Sequence, residues 1–386
     1  MENGEDMSLN KLILITLFCH ISPLWALPAA DEAKIKGAMQ QIYQNMSVLL
    51  PMSLNDKVFH SPEKASSIKK SLEQLQQSSQ QLEEYTKPLK DEAINLIGEE
   101  FHYFSKEAAK AFTHDQKSRA QALIQFQTEA CMACHTMRTS TSEPRLALGF
   151  LSDINYSNLG TWEKARFLTM VRQFDASMSE YERLLGSDHL ASEEKLLSNA
   201  YNEYLILGLR VTENLPRVKL FLQKIVKQPE PHLVRESLKI WLKDIEMVEK
   251  LPQPWTGKTA KQLIELGSQG NKYPADPQGI VYYIVASKIL RQQLDRETPP
   301  KTPAVLAEYN YLLGKSELVV DHFGFKALRY FAKAIKLSPQ SAVAKQALEL
   351  YQLHLELNYS GSSGTNIPSD EKARLNRLIR LVKGKL

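Results

Sequence analysis

The spacing of apolar residues predicts four helices between residues 32 and 138. The first runs from about Glu32 to Leu50 and ends at Pro51, and the third covers about 88–112. The second follows Ser61-Pro62, which is typical of a helix N-cap and first turn. The fourth begins near residue 113 and reaches His135. No segment alternates with a period of two residues, so no strands are predicted. Four helices joined by short links predict a four-helix bundle over residues 31–140.

Residues 143–386 are predicted to be helical as well, in segments separated by Pro- or Gly-rich breaks at 250–254, 273–277, 298–300 and 360–364. The stretch 324–339 resembles the second helix of a tetratricopeptide repeat. Ala327, Phe331, Ala334 and Pro339 stand at the small, aromatic, small and proline positions of that repeat. Leu313-Gly314 resembles its first helix, and 174–185 is a weaker match. We therefore expect an all-α chain, in which an α-helical repeat-like (solenoid) domain follows the bundle.

The N-terminus has the features of an export signal. Lys11 precedes an apolar run, Leu12 to Phe18, and small residues follow at Ala26 and Ala29. This pattern predicts a secretory signal peptide over residues 1–29, too short for a membrane span. Cys19 would leave with the signal peptide, so the two cysteines of the mature chain leave no spare thiol for a structural disulfide. The net charge of +4 over 386 residues predicts no nucleic-acid partner.

The run Cys131-Met132-Ala133-Cys134-His135 matches C-x-x-C-H, the attachment signature of a c-type haem. Residues three apart share one face of a helix, so both thiols can reach the porphyrin edge while the histidine ligates the iron. The alternatives are a chance match, a redox C-x-x-C, or half of a zinc site. A structural zinc would need a second Cys/His pair, and a redox dithiol is typical of a βαβ context. We predict one haem c, bound covalently through Cys131 and Cys134, with His135 as the proximal ligand. Haem attachment takes place outside the bacterial cytoplasm, so the protein is predicted to be periplasmic.

A four-helix region with C-x-x-C-H at the end of its last helix resembles the class II cytochromes c, the cytochrome c-prime group and its low-spin relatives. The resemblance covers residues 31–140. The runs 35–39 and 45–46 are similar to the low-spin members, whose first helix supplies a methionine ligand. The resemblance therefore implies Met39 as the distal ligand. The family carries an arginine four residues after the haem histidine, whereas Arg138 stands three residues after His135.

The residues alone leave the distal position open. Met39 can also be read as a core residue, because methionine fills irregular bundle interiors readily. Met46 lies two turns further along the same face, and Ile42 between them would cover an iron with a vacant sixth position. Histidine is a further possible ligand. The histidines of this region are His60, His102 and His114.

These features predict single-electron transfer to a protein redox partner, with the second domain as a docking surface. The alternative is a five-coordinate haem that binds a gas and signals through the repeat domain. A third possibility is that the haem only staples the bundle. The chain has no second C-x-x-C-H, so it is not predicted to be an enzyme. The basic amphipathic segment 371–386 could contact an anionic membrane surface, or it could cap the solenoid.

Overall fold

A computed structural model of the protein describes nine stretches of the chain. They are residues 29–89, 92–137, 159–187, 194–228, 235–269, 277–296, 301–320, 325–362 and 364–384. These stretches are almost entirely helical, which confirms the prediction of an all-α protein. Residues 1–28 of the predicted signal peptide lie outside the described residues, as does Arg138.

All four helices predicted for the first part of the chain are present, together with a short one that the pattern did not predict. The helices are α1 (Ala29–Ser53), the unpredicted α2 (Asp56–His60), α3 (Pro62–Thr86), α4 (Glu92–Thr113) and α5 (Lys117–His135). Helix α3 begins at Pro62 as expected, although the Ser61 side chain makes no capping hydrogen bond. Helix α1 packs against α3, α3 against α4 and α4 against α5, and α1 also contacts α5.

Helix α1 continues past Pro51, where the sequence predicted its end. Its last residue, Ser53, explains the difference. The Ser53 hydroxyl donates to the Leu50 carbonyl over 2.8 Å. The side-chain amides of Gln121 and Gln125 on α5 both donate to the Ser53 carbonyl over 2.7 Å. These amides satisfy a carbonyl that a helix end leaves without an intrahelical partner, so contacts from α5 stabilise the extra turn.

Eleven further helices are described after residue 158, and helices adjacent in sequence pack against each other along most of this part. They are α6 (Thr161–Met170), α7 (Phe174–Leu185), α8 (Glu194–Ile206), α9 (Leu215–Val226), α10 (Arg235–Glu249), α11 (Gly257–Ser268), α12 (Ile280–Asp295), α13 (Pro303–Val320), α14 (Phe325–Leu337), α15 (Ala342–Asn358) and α16 (Ser369–Lys383). A π-helical turn, Leu207–Val211, continues α8. Strands β1 (Ser360–Gly361) and β2 (Gly364–Thr365) form a small antiparallel ladder at a predicted Gly-rich break. That ladder is the one departure from a strand-free chain among the described residues, and Gly364 has the positive φ that its tight turn needs.

The buried apolar side chains form three clusters. The bundle core joins α1–α5 and also takes in Phe167 and Met170 of α6. The middle core extends from α6 to α14 and includes Ile97 of α4 and Met137 after α5. The C-terminal core lies between α13, α14, α15 and α16. Apolar packing thus continues across the predicted domain boundary near residues 140–143.

Helix α16 lies against the protein. Leu378 is 2% exposed within the C-terminal core, and Leu375, Ile379 and Val382 pack partly buried against it. This is the arrangement that the capping alternative for segment 371–386 predicts. Among the described helices, none is long and apolar enough to cross a membrane.

Helices α13 and α14 meet at a close contact between Gly314 and Phe331. A Cβ added to Gly314 would lie 2.6 Å from the Phe331 ring, well inside van der Waals contact. Phe331 is completely buried, so its ring has little room to move. The sequence analysis placed Phe331 at the aromatic position of a repeat-like second helix and compared Leu313-Gly314 with the first helix.

We predict that Gly314→Ala lowers the free energy of unfolding by about 1–3 kcal/mol, the usual cost of overpacking a filled core. Gly37→Ala in α1 is the matched control, because an added Cβ there meets no atom within 4 Å. Replacing a helical glycine with alanine at that exposed site should stabilise by up to about 1 kcal/mol. Urea unfolding measures both changes, and equal effects would contradict the close contact.

The buried carboxylate of Glu317 on α13 forms ion pairs with basic side chains from other segments of the chain. Its Oε1 lies 2.9 Å from Nη2 of Arg291 and 3.1 Å from Nη1 of Arg210, and its Oε2 lies 3.6 Å from Nζ of Lys326. Glu317 is 0% exposed. Burial alone would raise its pKa, but the three cations outweigh burial and hold the pKa of Glu317 well below its ordinary value. The carboxylate therefore stays ionised inside the protein.

This depressed pKa gives an acid-unfolding prediction. A carboxyl whose folded pKa lies below its unfolded value stabilises the fold above the unfolded value of 4.5, and that contribution falls as pH drops towards the folded pKa. Wild type should therefore lose more unfolding free energy than Glu317→Gln between pH 6 and pH 3. Urea unfolding at several pH values tests this, and parallel pH profiles for the two proteins would refute it. At neutral pH the variant should be less stable by about 3–5 kcal/mol, because it leaves buried cations without their carboxylate.

Candidate functional site

The C-x-x-C-H residues form the last turn of α5. The helix ends at His135, and Thr136 is its C-cap residue. The Thr136 backbone N–H and hydroxyl both donate to the Met132 carbonyl, over 2.9 and 2.8 Å. The attachment motif thus has a defined helical conformation, closed by a buried threonine.

Helix α5 has two faces with different surroundings. With about 100° between successive residues, Cys131, Cys134 and His135 fall on one face, whereas Phe126 and Ala133 fall on the opposite one. We call the first the thiol face. The opposite face borders a cavity.

The two thiols of the thiol face are partly buried and are not joined in a disulfide. Cys131 packs against the bundle core, and Cys134 against the middle core. Burial, assisted by the neighbouring Cys134, raises the pKa of Cys131 to about 12. Without a cofactor, Cys131 is therefore a protonated thiol at neutral pH.

His135 is partly buried, and its imidazole is neutral at pH 7. Burial lowers its pKa to about 4, and the positive charge of Arg172 adds to this effect, while a backbone hydrogen bond at Met170 opposes it. The Nδ1 atom of His135 is buried and has no hydrogen-bond partner. Buried polar atoms almost always have a partner, and neutral imidazole is the form that binds metals. The ring is thus in a state suited to a ligand that the protein alone does not supply.

The candidate distal residues lie along one face of α1. Met39 is partly buried and packs against the bundle core, the same cluster that Cys131 contacts. Ile42 and Met46, one and two turns further on, are both 3% exposed within that core. The thiol face and the Met39 face of α1 thus meet a common apolar cluster.

The three histidines considered as alternative ligands make contacts of their own. Nδ1 of His60 lies 2.9 Å from the Asp56 carbonyl oxygen. Nδ1 of His114 lies 2.8 Å from the Lys110 carbonyl oxygen. Nδ1 of His102 lies 3.0 Å from the Ser79 hydroxyl, between α4 and α3. His60 and His114 thus lie close to the backbone of their own helical turns.

The cavity beside the opposite face of α5 has a volume of about 300 Å³. It lies between α4 and α5 on one side and α8, the π-helical turn and α13–α14 on the other. Phe104 and Phe126 both line it and pack edge to face with ring centroids 4.7 Å apart. Phe101 and Phe112 of the same region are buried in the bundle core.

A buried ionic network ties α5 to the later helices. Arg166 of α6 forms an ion pair with Glu129 of α5, and its Nε lies 3.2 Å from Oε1 of Glu203 on α8. Glu203 also accepts hydrogen bonds from the Tyr181 hydroxyl over 2.7 Å and from the Trp162 indole N–H over 3.0 Å. Sequence reasoning missed this network, because its partners are far apart in the chain and match no motif.

Among the described residues, no group of three or more His, Cys, Asp or Glu side chains is arranged to hold a metal ion. A haem iron needs only one or two protein ligands, so this finding bears on bare metal ions alone. Comparisons with protein-family models, with curated proteins and with solved structures returned no significant match. The functional inference therefore depends on the motif and on its surroundings.

We expect Arg166→Ala to destabilise the protein by about 3–5 kcal/mol, because it leaves Glu203 buried without its cation. Arg119→Ala is the matched control. Arg119 also forms an ion pair across 3.0 Å, with Glu107, but its side chain is 57% exposed against 12% for Arg166. An exposed pair contributes at most about 1 kcal/mol. Guanidinium unfolding distinguishes the two variants, and similar losses would mean that Arg166 has no special role.

Proposed function

We propose that the chain is an exported, periplasmic c-type cytochrome that carries single electrons with one covalently bound haem. Cys131 and Cys134 would hold the haem through thioether bonds, and His135 would ligate the iron. The observation that carries the proposal is the C-x-x-C-H sequence on the last turn of a long helix, with His135 Nδ1 buried and without a partner.

The protein side chains fit this group. The two thiols share a face with the neutral imidazole, and each thiol packs against one of two apolar clusters. Each thiol S–H would add across one haem vinyl group, with the sulfur on one vinyl carbon and the hydrogen on the other, so no buried thiolate would have to persist afterwards. When bound, the haem supplies a one-electron couple whose potential depends on ligands, burial and hydrogen bonding.

Met39 is proposed as the sixth ligand. It contacts the bundle core as Cys131 does, and it is less buried than Ile42 or Met46. A His/Met pair raises the reduction potential and suits outer-sphere electron transfer, whereas an open distal face suits gas binding. The buried Ile42 is the observation in favour of the second candidate function, a gas-binding sensor, because an apolar residue opposite the iron would leave it five-coordinate.

The architecture is part of the same proposal. Residues 31–140 would form a class II-like four-helix bundle, and residues 143–386 a repeat-like helical domain that docks a protein redox partner. Packing of α1, α3, α4 and α5 around one core supports the first part. The Gly314–Phe331 contact between paired helices supports the second. Segment 371–386 could add contact with an anionic surface through the basic side chains on its outer face.

Haem attachment can be tested on the full chain, produced in bacteria that express the cytochrome c maturation system. We expect one covalent haem per chain, retained on a denaturing gel and visible in the mass of the protein. The double substitution Cys131→Ser and Cys134→Ser should abolish covalent attachment, whereas Cys19→Ser, outside the motif, should not. A wild-type protein that matures without haem would rule out the proposal.

Optical spectra of the oxidised protein distinguish the two candidate functions. Electron transfer through a His/Met site predicts a low-spin spectrum with a methionine-to-iron charge-transfer band that is lost in Met39→Ala. Met52→Ala is the control, since Met52 also lies on α1 and packs against the bundle core. Loss of the band in Met46→Ala would reassign the ligand. A high-spin spectrum with rapid carbon monoxide binding would favour the gas sensor.

A further inference from the structure

Arg210 connects the later part of the chain directly to the haem-attachment turn. It lies in the π-helical turn Leu207–Val211 and is 1% exposed. Its Nε donates a hydrogen bond of 2.8 Å to the carbonyl of Thr136, the residue that follows His135. A guanidinium group from 74 residues further along thus meets the chain one residue after the proposed iron ligand.

This hydrogen bond lies at the C-terminal end of α5, where a donor is needed. The last carbonyls of a helix have no intrahelical partners, and the C-terminal end carries partial negative charge that favours a cation. Thr136 is buried, so water has little access to hydrogen-bond its carbonyl. Arg210 supplies a donor and a positive charge together at the C-terminus of α5. Hydrogen bonds from a charged donor are roughly twice as strong as neutral ones.

Arg210 is held firmly from its other side. Its Nη1 lies 3.1 Å from Oε1 of Glu317 and 3.2 Å from the Ser287 hydroxyl. The wider turn of the π-helix is closed by hydrogen bonds from Thr212 N–H to the Leu207 carbonyl and from Asn214 N–H to the Gly208 carbonyl, both 2.8 Å. Such π-helical turns are rare and often occur at functional sites. The guanidinium is therefore pre-organised by two later helices.

We propose that Arg210 is a positioning residue for the haem, through which the later helices fix the His135 turn and raise the reduction potential of the iron. This inference rests on the proposed function. A buried positive charge hydrogen-bonded to the residue after the proposed iron ligand would oppose the extra positive charge of the oxidised state. The same hydrogen bond limits movement of the backbone that carries the proximal histidine. The helical region after residue 158 is on this account part of the haem environment as well as a docking surface.

The reduction potential tests the proposal. Arg210→Gln should shift the one-electron equilibrium towards the oxidised form on the order of tenfold, or about 59 mV to lower potential. Arg210→Lys keeps the charge and should retain most of the wild-type potential while weakening the bond to Thr136. Arg291→Gln is the matched control, because Arg291 also contacts Glu317 Oε1 but is bonded to Tyr330 rather than to α5. Arg291→Gln should shift the one-electron equilibrium by less than twofold, so the reduction potential stays close to that of wild type.

The number of covalent haems per chain is measured first in every sample. A wild type without haem would overturn the proposed function, and that outcome is distinct from a failure of this inference. If haem-loaded Arg210→Gln has the wild-type potential, the electrostatic role is wrong. An equal shift in Arg291→Gln would show that the effect belongs to the Glu317 cluster in general. In either case the proposal is overturned.

A measurement on wild type covers the case in which the Arg210 variants do not fold. Hydrogen exchange of the wild-type, haem-loaded protein should find the Thr136 and Met137 amides as protected as that of Ile124 in the middle of α5. A frayed helix end would exchange about tenfold faster. Fast exchange at Thr136 and Met137 would show that Arg210 does not hold the turn, whatever the reduction potential.

Discussion

A buried carboxylate that must remain ionised determines how the later helices meet the first five. Glu317 holds Arg210 and Arg291 through one oxygen and faces Lys326 with the other. Burying these charges costs free energy that only good mutual geometry offsets. The geometry is therefore specific, and α12, α13, α14 and the π-helical turn are held in a fixed relation to one another. Through Arg210, the same cluster reaches Thr136 at the end of α5.

Helix α5 lies between two environments with different chemistry. Its thiol face meets the bundle core and the edge of the middle core. Its opposite face borders a cavity with both apolar and charged walls, close to the Glu129–Arg166–Glu203 network. The C-x-x-C-H side chains and the ionic contacts thus occupy separate sides of one helix. This separation lets the protein anchor α5 strongly without placing carboxylates against the proposed haem.

The sequence predicted the features that depend on residues close together in the chain. The four long helices and the start of α3 at Pro62 followed from spacing and capping signals, and the C-x-x-C-H motif is contiguous. The extra turn beyond Pro51 was not predictable, because it depends on Gln121 and Gln125 of another helix. Arg210 and Glu317 are 107 residues apart. Each stands beside apolar residues in the sequence, but no local pattern shows that the two form a pair. Whether Met39 reaches the iron likewise depends on the packing of α1 against α5, which no short motif encodes.

The Arg210–Thr136 bond has a consequence for the order in which the molecule is assembled. Helix α5 can form from local contacts before the distant residue 210 docks, so its last turn exists for a time without the hydrogen bond from Arg210 to the Thr136 carbonyl. Contacts between distant segments form late, since their loop entropy must be offset first. The C-x-x-C-H turn is therefore most accessible before the later helices dock, and it becomes enclosed when they do. If the proposed haem is attached after export, the attaching enzyme would act on an incompletely folded chain rather than on the finished fold.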